Sequence, residues 1–161
     1  MYAIAGVLIA FLILYVFLGS ETPVHDQSVS TSAVNYGGFP SSVVQGLANA
    51  IAHAEGFDVP GSVPQRSNNP GDLFLGNKGF GLAGNGETVF DSVLDGWNAL
   101  YNQVVLMLNG QSAHYSPSET FTQIAATYTG GDDADAWAQT VSGALGLTPE
   151  NTLNDYLEQT A

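Results

Sequence analysis

Ser41-Ser42-Val43-Val44-Gln45-Gly46-Leu47-Ala48-Asn49-Ala50-Ile51-Ala52-His53-Ala54-Glu55-Gly56 has the period of an amphipathic helix. Val44, Leu47, Ala48 and Ile51 share one face, and Gly56 stands where a C-terminal cap belongs. Glu55 lies eleven positions after Val44, which at about 100° per residue returns it nearly to the apolar face. Position alone leaves two outcomes open, a carboxyl sheltered against the stripe or one turned to water from a frayed helix end. Sheltering disfavours the ionised form and raises the pKa, and a carboxyl still protonated near neutrality can serve as a general acid.

Downstream, residues 61–86 change character. Pro60, Pro64, Pro70 and closely spaced glycines interrupt the apolar runs Leu73-Phe74-Leu75 and Thr88-Val89-Phe90, which predicts a loop and then a small hairpin sheet. Helical period returns at Asp91 or Ser92, with Val93, Trp97, Leu100, Tyr101, Val104 and Leu108 forming a stripe that stops at Gly110. This is the expected central buried helix. Ser116-Pro117-Ser118-Glu119 has the spacing of a capping box with proline at the first helical position, and Phe121, Ile124, Ala125 and Tyr128 follow in period. Two further helices are expected, one over residues 134–145 ending at Gly146, the other opened by Thr148-Pro149-Glu150 and carrying Leu153, Tyr156 and Leu157. The fold class is therefore α+β, mainly helical, with one small hairpin sheet.

Upstream, residues 2–19 read YAIAGVLIAFLILYVFLG without a charged side chain. As a helix they would extend roughly 27 Å, enough to cross the hydrocarbon layer. A cleaved signal peptide would begin with basic residues and end on small ones, whereas Val16-Phe17-Leu18 is bulky. Residues 1–19 are accordingly expected to be a single-pass transmembrane anchor with the N-terminus inside. Residues 20–40, rich in Ser, Thr and Val with Gly37-Gly38, read as a flexible linker with a coil dimension of about 25 Å. Residues 41–161 form one domain on the outer side, the usual size for a single core.

The net charge of −13 with Arg66 and Lys78 as the only basic side chains excludes a phosphate-neutralising surface, so nucleic acid is not an expected partner. With no cysteine there is neither a disulfide, a thiolate metal site nor a cysteine nucleophile. His25, His53 and His114 lack metal-ligand spacing, so no metal or cofactor is expected. Gly79-Phe80-Gly81-Leu82-Ala83-Gly84 fits a dinucleotide fingerprint by spacing, but the glycines and asparagines around it favour turns. Neither a G-x-S-x-G elbow nor an H-E-x-x-H pair occurs.

Three stretches in order carry a resemblance: Ala50-Ile51-Ala52-His53-Ala54-Glu55-Gly56-Phe57, Arg66-Ser67-Asn68-Asn69-Pro70-Gly71-Asp72-Leu73, and Phe90-Asp91-Ser92-Val93-Leu94-Asp95-Gly96-Trp97-Asn98-Ala99-Leu100. Together they resemble the lytic transglycosylase and lysozyme-like domains of bacteriophages. Ala125-Ala126-Thr127-Tyr128-Thr129-Gly130 is similar to the tyrosine-glycine segment lining the sugar cleft of such enzymes. The resemblance implies a lysozyme-like domain that cleaves the glycan of bacterial peptidoglycan, with Glu55 as catalytic acid. Asn69 and Tyr128 would be cleft residues that orient the sugar or its acetamido group, and Asp72 and Thr88 would join them in binding substrate. As structural residues, Asn69-Pro70-Gly71 reads equally as a turn, and Tyr128 as the close of a helix. Many lytic transglycosylases carry serine directly after the catalytic glutamate, whereas this chain has Gly56.

The mechanism divides on a second carboxylate. An inverting hydrolase needs a base for water, for which Glu87 is the first candidate and Asp72 the second. A lytic transglycosylase needs none, since substrate groups supply the nucleophile and the product is an anhydro sugar. The resemblance favours the transglycosylase, as a phage protein assisting local wall penetration, with virion proteins and a virion membrane as its setting. The peptidoglycan wall is often anionic, so an acidic domain gains no long-range attraction to it, and anchoring would substitute. Two other classes remain open, a non-catalytic structural or glycan-binding membrane protein of the same fold, and a filament or adhesion subunit assembling through its apolar N-terminus.

Overall fold

The computed structural model describes residues 36–161 apart from 77, 80, 85 and 132. The anchor assigned to residues 1–19 and most of the linker lie outside the described residues, among which no helix is long and apolar enough to cross a membrane.

Six helices and one hairpin follow one another in the described chain: α1 Ser41–Ala54, α2 Val63–Arg66, β1 Gly81–Leu82, β2 Thr88–Val89, α3 Val93–Leu108, α4 Phe121–Tyr128, α5 Ala134–Ala144 and α6 Leu153–Gln159. The architecture is mainly helical with a two-stranded antiparallel hairpin, in which Gly81 faces Val89 and Leu82 faces Thr88. α1 packs on α3 and α5, and α5 packs also on α4. The predicted stripes fill the core: Val44, Leu47, Ala48 and Ile51 from α1 meet Leu100, Val104 and Leu108 from α3, and Ile124 and Ala125 from α4. Each large aliphatic or aromatic side chain so enclosed contributes about 1.5–3 kcal/mol.

Helix ends follow local chemistry. Gly56, Gly110 and Gly146 sit at φ of 72°, 66° and 74° just past α1, α3 and α5, the left-handed geometry that glycine adopts without a Cβ penalty. Ser92 caps α3 by accepting from Asp95 N.

Two predicted starts are corrected. α4 begins at Phe121 rather than Pro117, because Thr120 is extended, bridges to Thr152, and forms the capping box with Gln123. The Ser116–Glu119 pair closes only an isolated turn. α6 likewise opens at the Thr152–Asp155 capping box, while Thr148-Pro149-Glu150 forms a turn in which the Asn151 side chain accepts from Thr148 N. α2, within the predicted loop, is held by Ser62 accepting from Gln65 N and by the Gln65 side chain accepting from Gly61 N.

The domain also starts earlier than residue 41. Tyr36, assigned to the linker, lies 6.1 Å from the Tyr101 ring and accepts a hydrogen bond from Gln45, and Phe39 packs against the core.

Candidate active site

A two-part cleft lies beside residues 72–75 and the C-terminal end of α4. It has two lobes of about 500 and 540 Å³, both bounded by Asp72, Phe74 and Tyr128. Glu55, Asp133, Trp137 and Thr140 line the smaller lobe. Lys78, Gln103, His114 and Tyr115 line the larger.

Glu55 is placed by the end of α1, of which it is the C-cap, its N–H still bonded to Ile51 O. Helical phase alone would leave it half sheltered; the fold supplies the rest by laying α5 across α1. Trp137 Nε1 donates to Glu55 Oε1 at 2.6 Å. Burial raises the Glu55 pKa from 4.5 to about 7, with the Trp137 hydrogen bond opposing the shift and the charges of Asp72 and Glu87 adding to it. Of the two outcomes open in the sequence, the sheltered carboxyl is the one adopted. The next position explains Gly56 as well, since a serine there would sit in a left-handed conformation.

Asp72 and Glu87 form a second acidic feature. Asp72 has φ of 46°, a strained backbone for a residue with a Cβ, and its pKa rises from 3.8 to about 6, through burial first, then the charge of Glu87 and a hydrogen bond between the two carboxyls. Asp72 borders both lobes, whereas Glu87 is 5% exposed and lies behind it. The order expected from sequence, Glu87 as first-choice base with Asp72 second, is therefore reversed: of the two, Asp72 meets the cleft.

Asn69 and Thr88 are corrected from substrate contacts to structural ones, since both side chains are fully buried. Asn69 Nδ2 donates to Leu73 O and Thr88 O, and its Oδ1 accepts from Leu73 N. Thr88 Oγ1 accepts from Leu75 N. With Thr88 N donating to Leu73 O and Phe90 N to Ser67 O, these bonds lace residues 67–75 to residues 88–90 and so hold Asp72 at the cleft. The turn reading of Asn69-Pro70-Gly71 is the one the geometry carries.

Tyr128 does reach the cleft, with its ring on the wall of both lobes. Its hydroxyl is directed inward and donates to Gly71 O at 2.6 Å, and burial drives its pKa well above the ordinary phenol value. The hydroxyl proton is thus already engaged within the protein. Tyr128 stacks on Trp137 at 5.0 Å and 30°, and on Tyr115 at 5.8 Å and 30°.

Trp137, Tyr115 and the 63%-exposed Phe74 were not singled out in the sequence as site residues. Trp137 reads there as one more apolar position of α5, and its one distinguishing signal is that an indole brings a donor with it. His53 is exposed on the far face of α1 and pairs with Asp58 at 3.2 Å. The Gly79–Gly84 spacing falls on the hairpin, with no helix opening after it.

The arrangement joins a carboxyl that keeps its proton near neutrality, a pair of carboxyls, and aromatic residues lining the two lobes. Aromatic faces and a proton donor suit a sugar polymer with a leaving oxygen to protonate. Compared with protein-family models, curated proteins and solved structures, the chain matches none.

Proposed function

We propose that this chain is a peptidoglycan-cleaving enzyme, a lysozyme-like lytic transglycosylase, in which Glu55 protonates the glycosidic oxygen of the leaving sugar. The observation that carries this reading is the Glu55 carboxyl on the wall of the smaller lobe, sheltered enough to hold its proton to about pH 7. General acid catalysis requires a proton available at working pH and a donor within reach of the leaving group, and such a carboxyl meets the first requirement. The two lobes that share Asp72, Phe74 and Tyr128, with Tyr115 on the larger, support a chain of sugars as substrate. A phage origin and anchoring by residues 2–19 in a membrane, with the domain facing the wall, remain part of the proposal on the strength of the sequence resemblance and the uncharged apolar run.

Asp72 favours a second reading, an inverting muramidase, because it offers a carboxyl at the cleft that becomes a base once ionised. Digestion of purified peptidoglycan separates the two: anhydro sugar ends mark the transglycosylase, reducing ends the hydrolase. A preparation that releases no fragments would leave a non-catalytic glycan-binding protein instead, and a Glu55→Gln variant as active as the parent would take Glu55 out of the chemistry.

A further inference from the structure

An indole has one polar group, an N–H that donates and cannot accept. At 2.6 Å from Trp137 Nε1, Glu55 Oε1 is cast as the acceptor, and the carbonyl-type oxygen of a protonated carboxyl is much the better acceptor of its two. The proton then belongs on Oε2. The indole is itself immobilised, being 5% exposed, stacked on Tyr128, and through the Tyr128 hydroxyl tied to Gly71 beside Asp72.

We propose that Trp137 is a positioning residue: its Nε1–H holds the Glu55 carboxyl in one orientation and assigns the transferable proton to Oε2. This rests on Glu55 being the acid of the proposed reaction. The donor also tunes the acid. Asp72 and Glu87, from the hairpin side, push the Glu55 proton affinity up alongside burial, while the Trp137 bond favours the ionised form. Among the described residues, the phenols of Tyr115 and Tyr128 also interact with Glu55, and Asp133, at the head of α5, lines that lobe. His53 points away and is paired with Asp58. Trp137 thus keeps a half-buried acid from becoming too weak to give up its proton.

The chain has two tryptophans, so the full-length protein in detergent micelles should give two indole N–H resonances, one of them from Trp97 as an internal reference. Titrated from about pH 5 to about pH 9, the Trp137 resonance should follow a midpoint near 7 that is absent in Glu55→Gln. In Trp137→Phe, which keeps a stacking ring and removes the donor, the Glu55 carboxyl should titrate higher by roughly one unit. Wall cleavage by that variant should lose about 10- to 100-fold in kcat with KM within about twofold, and its alkaline limb should move up with the carboxyl. Should Trp137→Phe fail to fold, Trp137→Tyr, which retains a donor, and the titration of the unaltered chain decide the matter. A Trp137 resonance indifferent to Glu55, or a Phe variant with unchanged midpoint and kcat, overturns the inference. A wild-type chain inert on peptidoglycan overturns the proposed function instead, while the titration still decides whether the indole governs the carboxyl.

Discussion

Burial penalises a carboxylate more than a carboxylic acid, so folding and protonation of Glu55 are linked. Its pKa is about 7 in the folded chain against an ordinary 4.5, and the folded state therefore binds the proton more tightly. That contribution to stability is complete below about 4.5 and is lost as the pH rises through about 7, an effect on the order of 3 kcal/mol at most. Asp72 acts in the same direction between 3.8 and about 6. Glu55→Gln cannot ionise and keeps an oxygen for the Trp137 N–H, so thermal melts should show it more stable than the parent at pH 8 by several degrees and close to it at pH 4. Parallel melting curves for the two proteins across that range would mean a solvated Glu55. In the proposed reaction the same proton sets activity. The kcat/KM profile should fall above about pH 7 as Glu55 ionises. A transglycosylase needs no second limb from the protein, whereas a hydrolase using Asp72 as base should also lose rate below about pH 6.

At the scale of the elements, the loop over residues 67–75 is held to residues 88–90 by two backbone hydrogen bonds and by the side chains of Asn69 and Thr88. Asn69→Ala would take their side-chain partner from Leu73 N and Thr88 O in the interior and leave Leu73 O with Thr88 N alone, at a cost of about 2–4 kcal/mol measurable by urea unfolding. A second constraint comes from Gly96 in the first turn of α3, where an added Cβ would stand 1.8 Å from Asn68 O and 2.8 Å from Pro70 Cδ. Gly96→Ala should therefore displace the loop and lower the melting temperature sharply. Unaltered stability in either variant would show the loop to be held by something else. These contacts also explain what the sequence conveyed. Periodic stripes and capping glycines made α1, α3 and α5 legible, since each depends on residues within a few turns of one another. The starts of α4 and α6 were displaced because a long-range Thr120–Thr152 bridge outweighs the local signals of Ser116 and Thr148. Glu55 was legible as a candidate from helical phase. Its partner was not, because Trp137 is 82 positions away and meets it only after α5 crosses α1.

For the molecule as a whole, charge would shape access to the proposed substrate. A chain of net charge −13 approaching an often anionic wall is repelled over a distance set by salt. Cleavage by the 36–161 portion free in solution should accordingly speed up as salt rises from low levels toward about 0.15 M, and the full chain held in a membrane beside the wall should respond less. A rate that falls with salt would point to local attraction, for instance through Lys78 in the larger lobe. The most direct measurement is mass spectrometry of fragments released from purified peptidoglycan by the parent chain and by Glu55→Gln. Disaccharide fragments with anhydro ends from the parent, and a loss of about 10²-fold or more in the variant, are the outcome expected of Glu55 as the acid. Equal release by both, or none by either, would contradict it.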